Sequence, residues 1–247
     1  MSGAVLIAQV TDCHLPADQR QPYRGINPYQ NLKSLLTRLC RIKPDLILAT
    51  GDLSEDGSPE SYRALQDLLR PLGVPVLALP GNHDDAHVLA EIFPGSPVDG
   101  IGVSEHGAWK IVRLNSSLPG RPEGHVSETT MEQLEGFLQK HDQCPLIITL
   151  HHQPVHIGSP WIDKYALLEP DVFLELIDRS TNVQAVVWGH VHQVFEAERN
   201  GTLMLGGPSS AVNGIPGAQK FTPDNIGPAS RWLKLKQDKT LLTGVIR

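Results

Sequence analysis

Short apolar runs alternate with amphipathic stretches along the first third of the chain. The apolar runs are typical of buried strands and cover residues 4–10, 45–49 and 74–79. Apolar residues recur at helical spacing from Leu32 to Ile42, and Pro44 ends that predicted helix. A second helix is predicted from Ser58, as its cap, to about Arg70, because Pro at the first helical position favours a start there. The alternation of strand and helix predicts an α/β fold.

The rest of the chain continues this pattern and then becomes rich in strands. Further buried strands are predicted over residues 109–114, 146–150 and 183–188, and helices over residues 128–141 and 171–179. Asn200-Gly201 predicts a hairpin turn between strands 194–198 and 202–205. A last hairpin is predicted from strands 231–236 and 240–246. Between the two hairpins, Gly206 to Ala229 is rich in Gly and Pro, which indicates a long loop.

Composition and charge narrow the class of protein. The 247 residues are 40% hydrophobic and 19% charged, which predicts a globular protein with residues 1–247 in a single domain. The segment from Met1 to Ile7 lacks the pattern of a signal peptide, and no apolar run is long enough to span a membrane, so we expect a cytoplasmic protein without a membrane partner. The net charge of -6 and the absence of a basic block argue against a nucleic-acid polymer as partner. Scattered cysteines argue against disulfides and a thiolate zinc site.

Polar motifs follow the predicted strands at their carboxyl ends, where α/β sheets place their ligand sites. The motifs are Asp12-x-His14, Gly51-Asp52, Gly81-Asn82-His83-Asp84, His151-His152 and Gly189-His190-x-His192. Each one alone is compatible with a turn, with a solvated loop histidine, or with a core histidine beside an exposed one. Together they offer carboxylate, imidazole and amide ligands without thiolate, which are groups that bind divalent ions. The set exceeds what one ion needs and suits two ions that share a carboxylate.

In this order the motifs resemble those of the calcineurin-like metallophosphoesterases. The resemblance implies a four-layer α-β-β-α sandwich, in which two mixed sheets are flanked by helices and a dinuclear metal site lies at the strand carboxyl ends. It also implies two ligand sets that share Asp52, with iron, manganese or zinc as the ions. The expected sets are Asp12, His14, Asp52 and His192 for one ion, and Asp52, Asn82, His151 and His190 for the other.

The resemblance also implies a reaction. Two cations about 3.5–4 Å apart can clamp a phosphate oxygen and generate a bridging hydroxide that attacks phosphorus in line with the leaving oxygen. His83 is expected to assist that leaving oxygen as a general acid or as a cation. Asp84 is expected to orient the His83 ring, or instead to cap a helix that follows, or both. We expect Asn82, His83 and His192 to contact the substrate. Cys13 points away from its neighbours on an extended segment and is expected to pack in the core.

Other features bear on the substrate. Gly51-Asp52-Leu53-Ser54-Glu55-Asp56-Gly57 lacks the Arg that Ser/Thr protein phosphatases carry, and the Asp-x-His start favours the phosphodiesterase branch. The chain is similar to the bacterial class III cyclic nucleotide phosphodiesterases, also in its late stretch Phe221-Thr222-Pro223-Asp224-Asn225. The expected reaction is hydrolysis of a 3′,5′-cyclic nucleotide, with cyclic AMP giving AMP, by a monomer or homodimer. The alternatives are a broad-specificity or glycerophosphodiester phosphodiesterase and a non-catalytic scaffold. Trp161, Phe221 and Trp232 are candidates for a base pocket.

Overall fold

A computed structural model describes residues 3–247 of the chain. Met1 and Ser2 lie outside the described residues. They begin the segment Met1 to Ile7, whose lack of a signal-peptide pattern is noted above. The strands are β1 (Val5–Val10), β2 (Leu46–Thr50), β3 (Val76–Leu79), β4 (Ile101–His106), β5 (Trp109–Leu114), β6 (Leu146–Thr149), β7 (Val183–Trp188), β8 (Phe195–Arg199), β9 (Thr202–Gly206), β10 (Ser230–Leu235) and β11 (Leu241–Ile246). The α-helices are α1 (Pro28–Ile42), α2 (Pro59–Leu69), α3 (Ala86–Ile92), α4 (Glu128–Lys140), α5 (Pro160–Asp163) and α6 (Pro170–Asp178).

The strands form two mixed sheets. The first has the order β11-β10-β1-β2-β3, and the second has the order β4-β5-β6-β7-β9-β8. In the first sheet β1, β2 and β3 are parallel, while β10 and β11 are antiparallel to their neighbours. In the second sheet β5, β6, β7 and β9 are parallel, while β4 and β8 form antiparallel edges. Each sheet therefore contains a run of parallel strands, whose carboxyl ends lie at the same edge.

Three apolar clusters hold the layers together. One cluster lies between the sheets and joins residues such as Ile7 and Leu48 of the first sheet to Ile111 and Val187 of the second. A second cluster packs α1, α2 and α3 on the outer face of the first sheet. The third packs α4 and α6 on the outer face of the second sheet. This arrangement confirms the predicted α-β-β-α sandwich and explains why every residue of β2 is buried, since both faces of the strand are covered.

Local signals set several element boundaries. Asn27 caps α1 by accepting a hydrogen bond from the Gln30 amide, so this helix begins at Pro28, earlier than its leucine pattern predicts. Ser58 caps α2 as predicted. The strand β4 was not predicted from the sequence, because it is a half-exposed edge strand with weak apolar alternation. Among residues 3–247, no helix is long and apolar enough to cross a membrane.

The long segment between β9 and β10 contains no helix or strand among the residues that the structure describes, as predicted. It is nevertheless held by hydrogen bonds to the residue after β1 and within the segment itself. The Ser209 hydroxyl donates to the carbonyl of Asp12 at 2.8 Å. The Asn213 side chain accepts from the Ser209 amide at 2.7 Å and donates to the Gly227 carbonyl at 3.0 Å. The loop therefore forms an ordered wall beside the carboxyl end of β1.

Candidate metal centre

The carboxyl ends of parallel strands from both sheets converge on one buried cluster. Asp12 and His14 follow β1, and His192 lies in the loop after β7. His14 Nε2 lies 3.1 Å from His192 Nε2, and Asp12 Oδ1 lies 3.4 Å from His192 Nε2. One ligand atom from each of these three buried residues falls within 4.8 Å of the others. His14 Nε2 is also 3.7 Å from Asp52 Oδ2, so the structure brings the first predicted ligand set together.

The second predicted ligand set lies on the other side of Asp52. Asp52 Oδ1 is 3.4 Å from His151 Nε2, and His151 Nε2 is 3.2 Å from His190 Nδ1. Asp52 belongs to compact groups of candidate ligands with His14 and also with Asp12 and His151. The position of Asp52 between the two sets is what a shared carboxylate requires.

The backbone of these residues is held in an unusual conformation. Positive φ angles occur at Asp12 (50°), His14 (45°), Asp52 (48°), His190 (66°) and His192 (47°). The left-handed region costs a non-glycine residue about 1–2 kcal/mol. Hydrogen bonds stabilise it, including Asp12 N to the Gly51 carbonyl at 3.0 Å and His190 N to Asp12 Oδ1 at 3.0 Å. Strained backbone that is concentrated in this way is typical of functional sites.

Burial and charge set the protonation of the cluster. Burial lowers the pKa of His14 to about 3 and holds the pKa values of His190 and His192 well below their ordinary range. These imidazoles are therefore neutral, which is the form that binds metal. Burial alone would raise the pKa of Asp52, but His151, together with His14 and His83, outweighs this effect and holds the pKa well below the usual value. Burial likewise opposes protonation of His151, yet Asp52 brings its pKa up to about 9.

One buried oxygen near the candidate centre has no hydrogen-bond partner among residues 3–247, which bears on whether the cluster fits metal ions. Asn82 Oδ1 is buried and has no hydrogen-bond partner among the described residues. Buried acceptors without a partner are uncommon in folded proteins and call for an explanation. Asn82 lines the same cavity as Asp52, His14, His190 and His192, and an amide oxygen is a suitable ligand for a divalent cation next to carboxylates and imidazoles. The predicted residues therefore fit a two-ion site.

His83 and Asp84 have different surroundings from those predicted. The His83 side chain is 36% exposed, and its Nδ1 lies 3.3 Å from Glu55 Oε2. The partly buried Asp84 carboxylate instead accepts hydrogen bonds from the Gly81 amide at 2.8 Å, the Ser54 amide at 2.9 Å and the Tyr62 hydroxyl at 3.0 Å. The prediction that Asp84 orients the His83 ring is therefore wrong, because backbone donors from two loops occupy its oxygens.

Asp84 also does not cap the following helix. Asp85 caps α3, because its side chain accepts hydrogen bonds from the amides of His87 and Val88. Glu55 was missed by sequence reasoning, although it follows Asp52 in the same loop. Its Oε2 lies 2.8 Å from His14 Nδ1.

A cavity of about 270 Å³ opens over the cluster. Trp161 and Phe221, two of the candidates for a base pocket, line it with ring centroids 5.1 Å apart. Trp232 is not among its lining residues. It lies on β10, where its ring closely approaches Gly244, so its assignment to the pocket is wrong.

Two further residues near the motifs are buried. His152 is buried rather than exposed, and its Nδ1 is 2.9 Å from the Ser116 hydroxyl. Cys13 packs in the cluster between the first sheet and its helices, as predicted.

Comparisons with known proteins agree with this geometry. The family model described as calcineurin-like phosphoesterase matches residues 5–194. The chain is 35% identical to the 3′,5′-cyclic adenosine monophosphate phosphodiesterase CpdA of Pseudomonas aeruginosa, over 99% of this chain and 90% of that protein. It is 36% identical to a 3′,5′-cyclic-nucleotide phosphodiesterase of a Nostoc species, over 98% of this chain and 92% of that protein. A dimetal phosphatase from Danio rerio shares the fold, with a TM-score of 0.68, 16% identity, and coverage of 97% of this chain and 98% of that one.

Proposed function

The chain belongs to the calcineurin-like phosphoesterase family, and on this basis we propose that it is a metal-dependent phosphodiesterase that hydrolyses 3′,5′-cyclic nucleotides. Cyclic AMP, giving AMP, is the proposed substrate, because relatives that match nearly the whole chain are named for cyclic nucleotides. The observation that carries the proposal is the meeting of carboxylates and imidazoles around Asp52, together with Asn82, whose unsatisfied buried oxygen belongs to a residue that lines the same cavity.

Two ligand sets would hold the ions, which we propose to be iron or manganese, with zinc as a further candidate. The sets are Asp12, His14, Asp52 and His192 on one side, and Asp52, Asn82, His151 and His190 on the other. When bound, such cations stabilise charge on phosphoryl oxygens and lower the pKa of water. Glu55 accepts the proton of His14 Nδ1, which leaves His14 Nε2 as the ligand atom.

His83 is proposed to act on the leaving group. Its ring is half-exposed and lines the cavity, and Glu55 orients it through Nδ1. The imidazolium form of His83 carries a second proton on Nε2, which it would donate to the 3′ oxygen as the bond from phosphorus to that oxygen breaks, leaving a neutral ring that keeps its Nδ1 proton towards Glu55. Water supplies the new oxygen on phosphorus, the proton that it loses restores the imidazolium, and the product is the 5′-monophosphate. Asn82 and His192, which also line the cavity, are proposed to contact the same phosphoryl group.

The proposal has consequences for the whole protein. Residues 1–247 are proposed to form one domain that acts in the cytoplasm as a monomer or homodimer. The ligand is a small phosphodiester and not a nucleic-acid polymer, which agrees with the net charge of -6.

The test is a substrate panel on purified, manganese-loaded protein. We expect turnover of cyclic AMP that exceeds turnover of glycerophosphodiesters. Brisk hydrolysis of glycerophosphodiesters without turnover of cyclic AMP would instead establish the alternative substrate class.

Matched variants test the roles of the residues. Asp52→Asn is expected to abolish activity and lower the metal content, whereas Asp67→Asn, at an exposed position of α2, changes neither. His83→Ala is expected to keep the metals and lose about 100- to 10,000-fold in rate, the usual contribution of general acid catalysis. His87→Ala, at an exposed position of α3, is its control. Full activity of the His83 variant would refute the leaving-group role.

A further inference from the structure

Tyr23 and Arg24 form a wall of the cavity that the metal chemistry does not use. The Tyr23 ring stacks on the His14 ring, with centroids 4.0 Å apart and an interplanar angle of 12°. Its hydroxyl accepts a hydrogen bond from Arg24 Nε at 2.9 Å and lies 3.2 Å from His14 Nε2. Both residues line the cavity together with Asp52, Asn82 and His83. The loop that connects β1 to α1 thus adds two polar groups to the candidate centre.

The Arg24 guanidinium is held in place without being neutralised. Its central carbon lies 4.0 Å from the centroid of the Phe221 ring, which is a cation–π contact. Together with the hydrogen bond to Tyr23, this contact fixes the guanidinium plane from two sides. Among residues 3–247, no carboxylate lies within salt-bridge distance of Arg24. The cation is therefore available to a ligand, in a chain whose net charge is negative.

The Tyr23 hydroxyl has a second possible partner when the centre is loaded. His14 Nδ1 faces Glu55, so Nε2 is the atom left for an ion. With an ion held by Nε2, that nitrogen would no longer accept the phenolic proton. The Tyr23 hydroxyl, which accepts from Arg24 Nε, would then be available to donate to a ligand in the cavity.

We propose that Arg24, oriented by Tyr23 and Phe221, is a specificity-determining residue that binds a phosphoryl oxygen of the ligand, and that the Tyr23 hydroxyl donates to the same group. This inference rests on the proposed function, because it places a phosphate ester in the same cavity. A guanidinium offers a planar set of donors that matches phosphate oxygens. The aromatic rings of Trp161 and Phe221 would make apolar contacts with the uncharged part of the ligand.

The test measures binding and does not depend on turnover of any diester. Metal-loaded wild type, Arg24→Leu, Arg24→Lys and Tyr23→Phe are titrated with inorganic phosphate, adenosine 5′-monophosphate and adenosine by calorimetry. Arg20→Leu is the matched control, because Arg20 lies in the same loop, is 91% exposed and pairs with Asp18. The metal content of each variant is measured in parallel, since Tyr23 contacts His14.

We expect Arg24→Leu to bind phosphate and adenosine 5′-monophosphate about tenfold or more weakly, as for loss of a hydrogen bond to a charged group. Adenosine binding and metal content stay at the wild-type level, Arg24→Lys recovers part of the loss, and the difference from wild type shrinks as salt is added. Tyr23→Phe weakens the same two ligands to a smaller extent, and Arg20→Leu changes none of them. In assays of any diester that the enzyme hydrolyses, Arg24→Leu raises KM more than it lowers kcat.

Three results would overturn the inference. In the first, Arg24→Leu binds inorganic phosphate as tightly as wild type. In the second, it loses adenosine together with the monophosphate, which would assign Arg24 to the nucleoside. In the third, it loses metal, which would make Arg24 a support of the centre. If the protein fails to hydrolyse cyclic AMP but the phosphate titrations differ as expected, the proposed substrate fails and the role of Arg24 stands.

Discussion

Replacement of Gly81 by Ala adds one carbon atom and is predicted to lower both the thermal stability and the metal binding of the protein. A Cβ at this position would lie 2.2 Å from Asp52 Oδ1, 2.4 Å from the Asp52 backbone nitrogen and 2.9 Å from His151 Cε1. Gly81 does not have a positive φ angle, so the glycine is required by close approach and not by its backbone conformation. Two of the three contacts involve the residue proposed to be shared by both ions, and one of these is backbone that cannot rotate away.

The size of the effect follows from these distances. Overpacking of a core typically costs about 1–3 kcal/mol, and we take the upper end because the Asp52 backbone must move. In a chain of this size each kcal/mol shifts Tm by about 2–4 °C, which predicts a loss of about 6–12 °C for Gly81→Ala. The displaced Asp52 carboxylate should also reduce the binding of both ions.

The assay is thermal unfolding of the metal-free protein, followed by metal analysis of the loaded protein. Gly136→Ala is the matched control, because Gly136 lies within α4 and a Cβ there meets nothing within 4 Å. This control should gain about 0.5–1 kcal/mol from the lower entropy of its unfolded chain and a Tm higher by about 1–4 °C. The reasoning would be refuted by a Gly81→Ala protein whose Tm and metal content match those of wild type.

Three further predictions concern polar contacts around the centre. Glu55→Gln removes the carboxylate that faces His14 Nδ1 and should weaken metal binding at one site about 10- to 100-fold, as measured by competition with a chelator. The Tm of the metal-free protein should change little, and an unchanged metal affinity would contradict the role given to Glu55. Asp84→Asn places an amide NH₂ group opposite backbone N–H donors and should lower the free energy of unfolding by about 1–3 kcal/mol. Urea unfolding should show a lower midpoint at a constant m value, and equal midpoints would contradict the contacts of Asp84. Asn213→Ala removes the side chain that hydrogen-bonds to both Ser209 and Gly227, and it should speed trypsin cleavage after Lys220. Mass spectrometry of timed digests measures the cleavage, and equal rates would mean that other contacts hold the loop.

The predictions that held are those that depend on local pattern. The strand Val183–Trp188 has the predicted bounds, because an apolar run that ends at Gly189 is visible in the sequence itself. Asn200 and Gly201 both have positive φ angles, as a tight hairpin turn requires. The motif residues at the strand ends meet because parallel strands end at the same edge of a sheet.

The predictions that failed required knowledge of what lies opposite a side chain. Asp84 and Asp85 are the same residue type at adjacent positions, yet one accepts backbone donors of neighbouring loops and the other caps a helix. Nothing in their local sequence distinguishes these environments. Trp232 was assigned to the pocket because it is aromatic and close in sequence to the late loop, but its strand directs the ring towards Gly244 instead.

The sequence by itself determined the order of strands and helices, the residue types at the strand ends and the family to which these motifs point. These properties are encoded in apolar periodicity and turn chemistry, which act over a few neighbouring residues. The tertiary structure alone decided that Asp52 lies between two candidate ligand sets, that Glu55 faces both His14 and His83, and that Arg24 has no carboxylate within salt-bridge distance among the described residues. The physical reason is that such contacts join residues as far apart as His14 and His192, which are 178 positions apart, and they exist only once the two sheets have packed face to face.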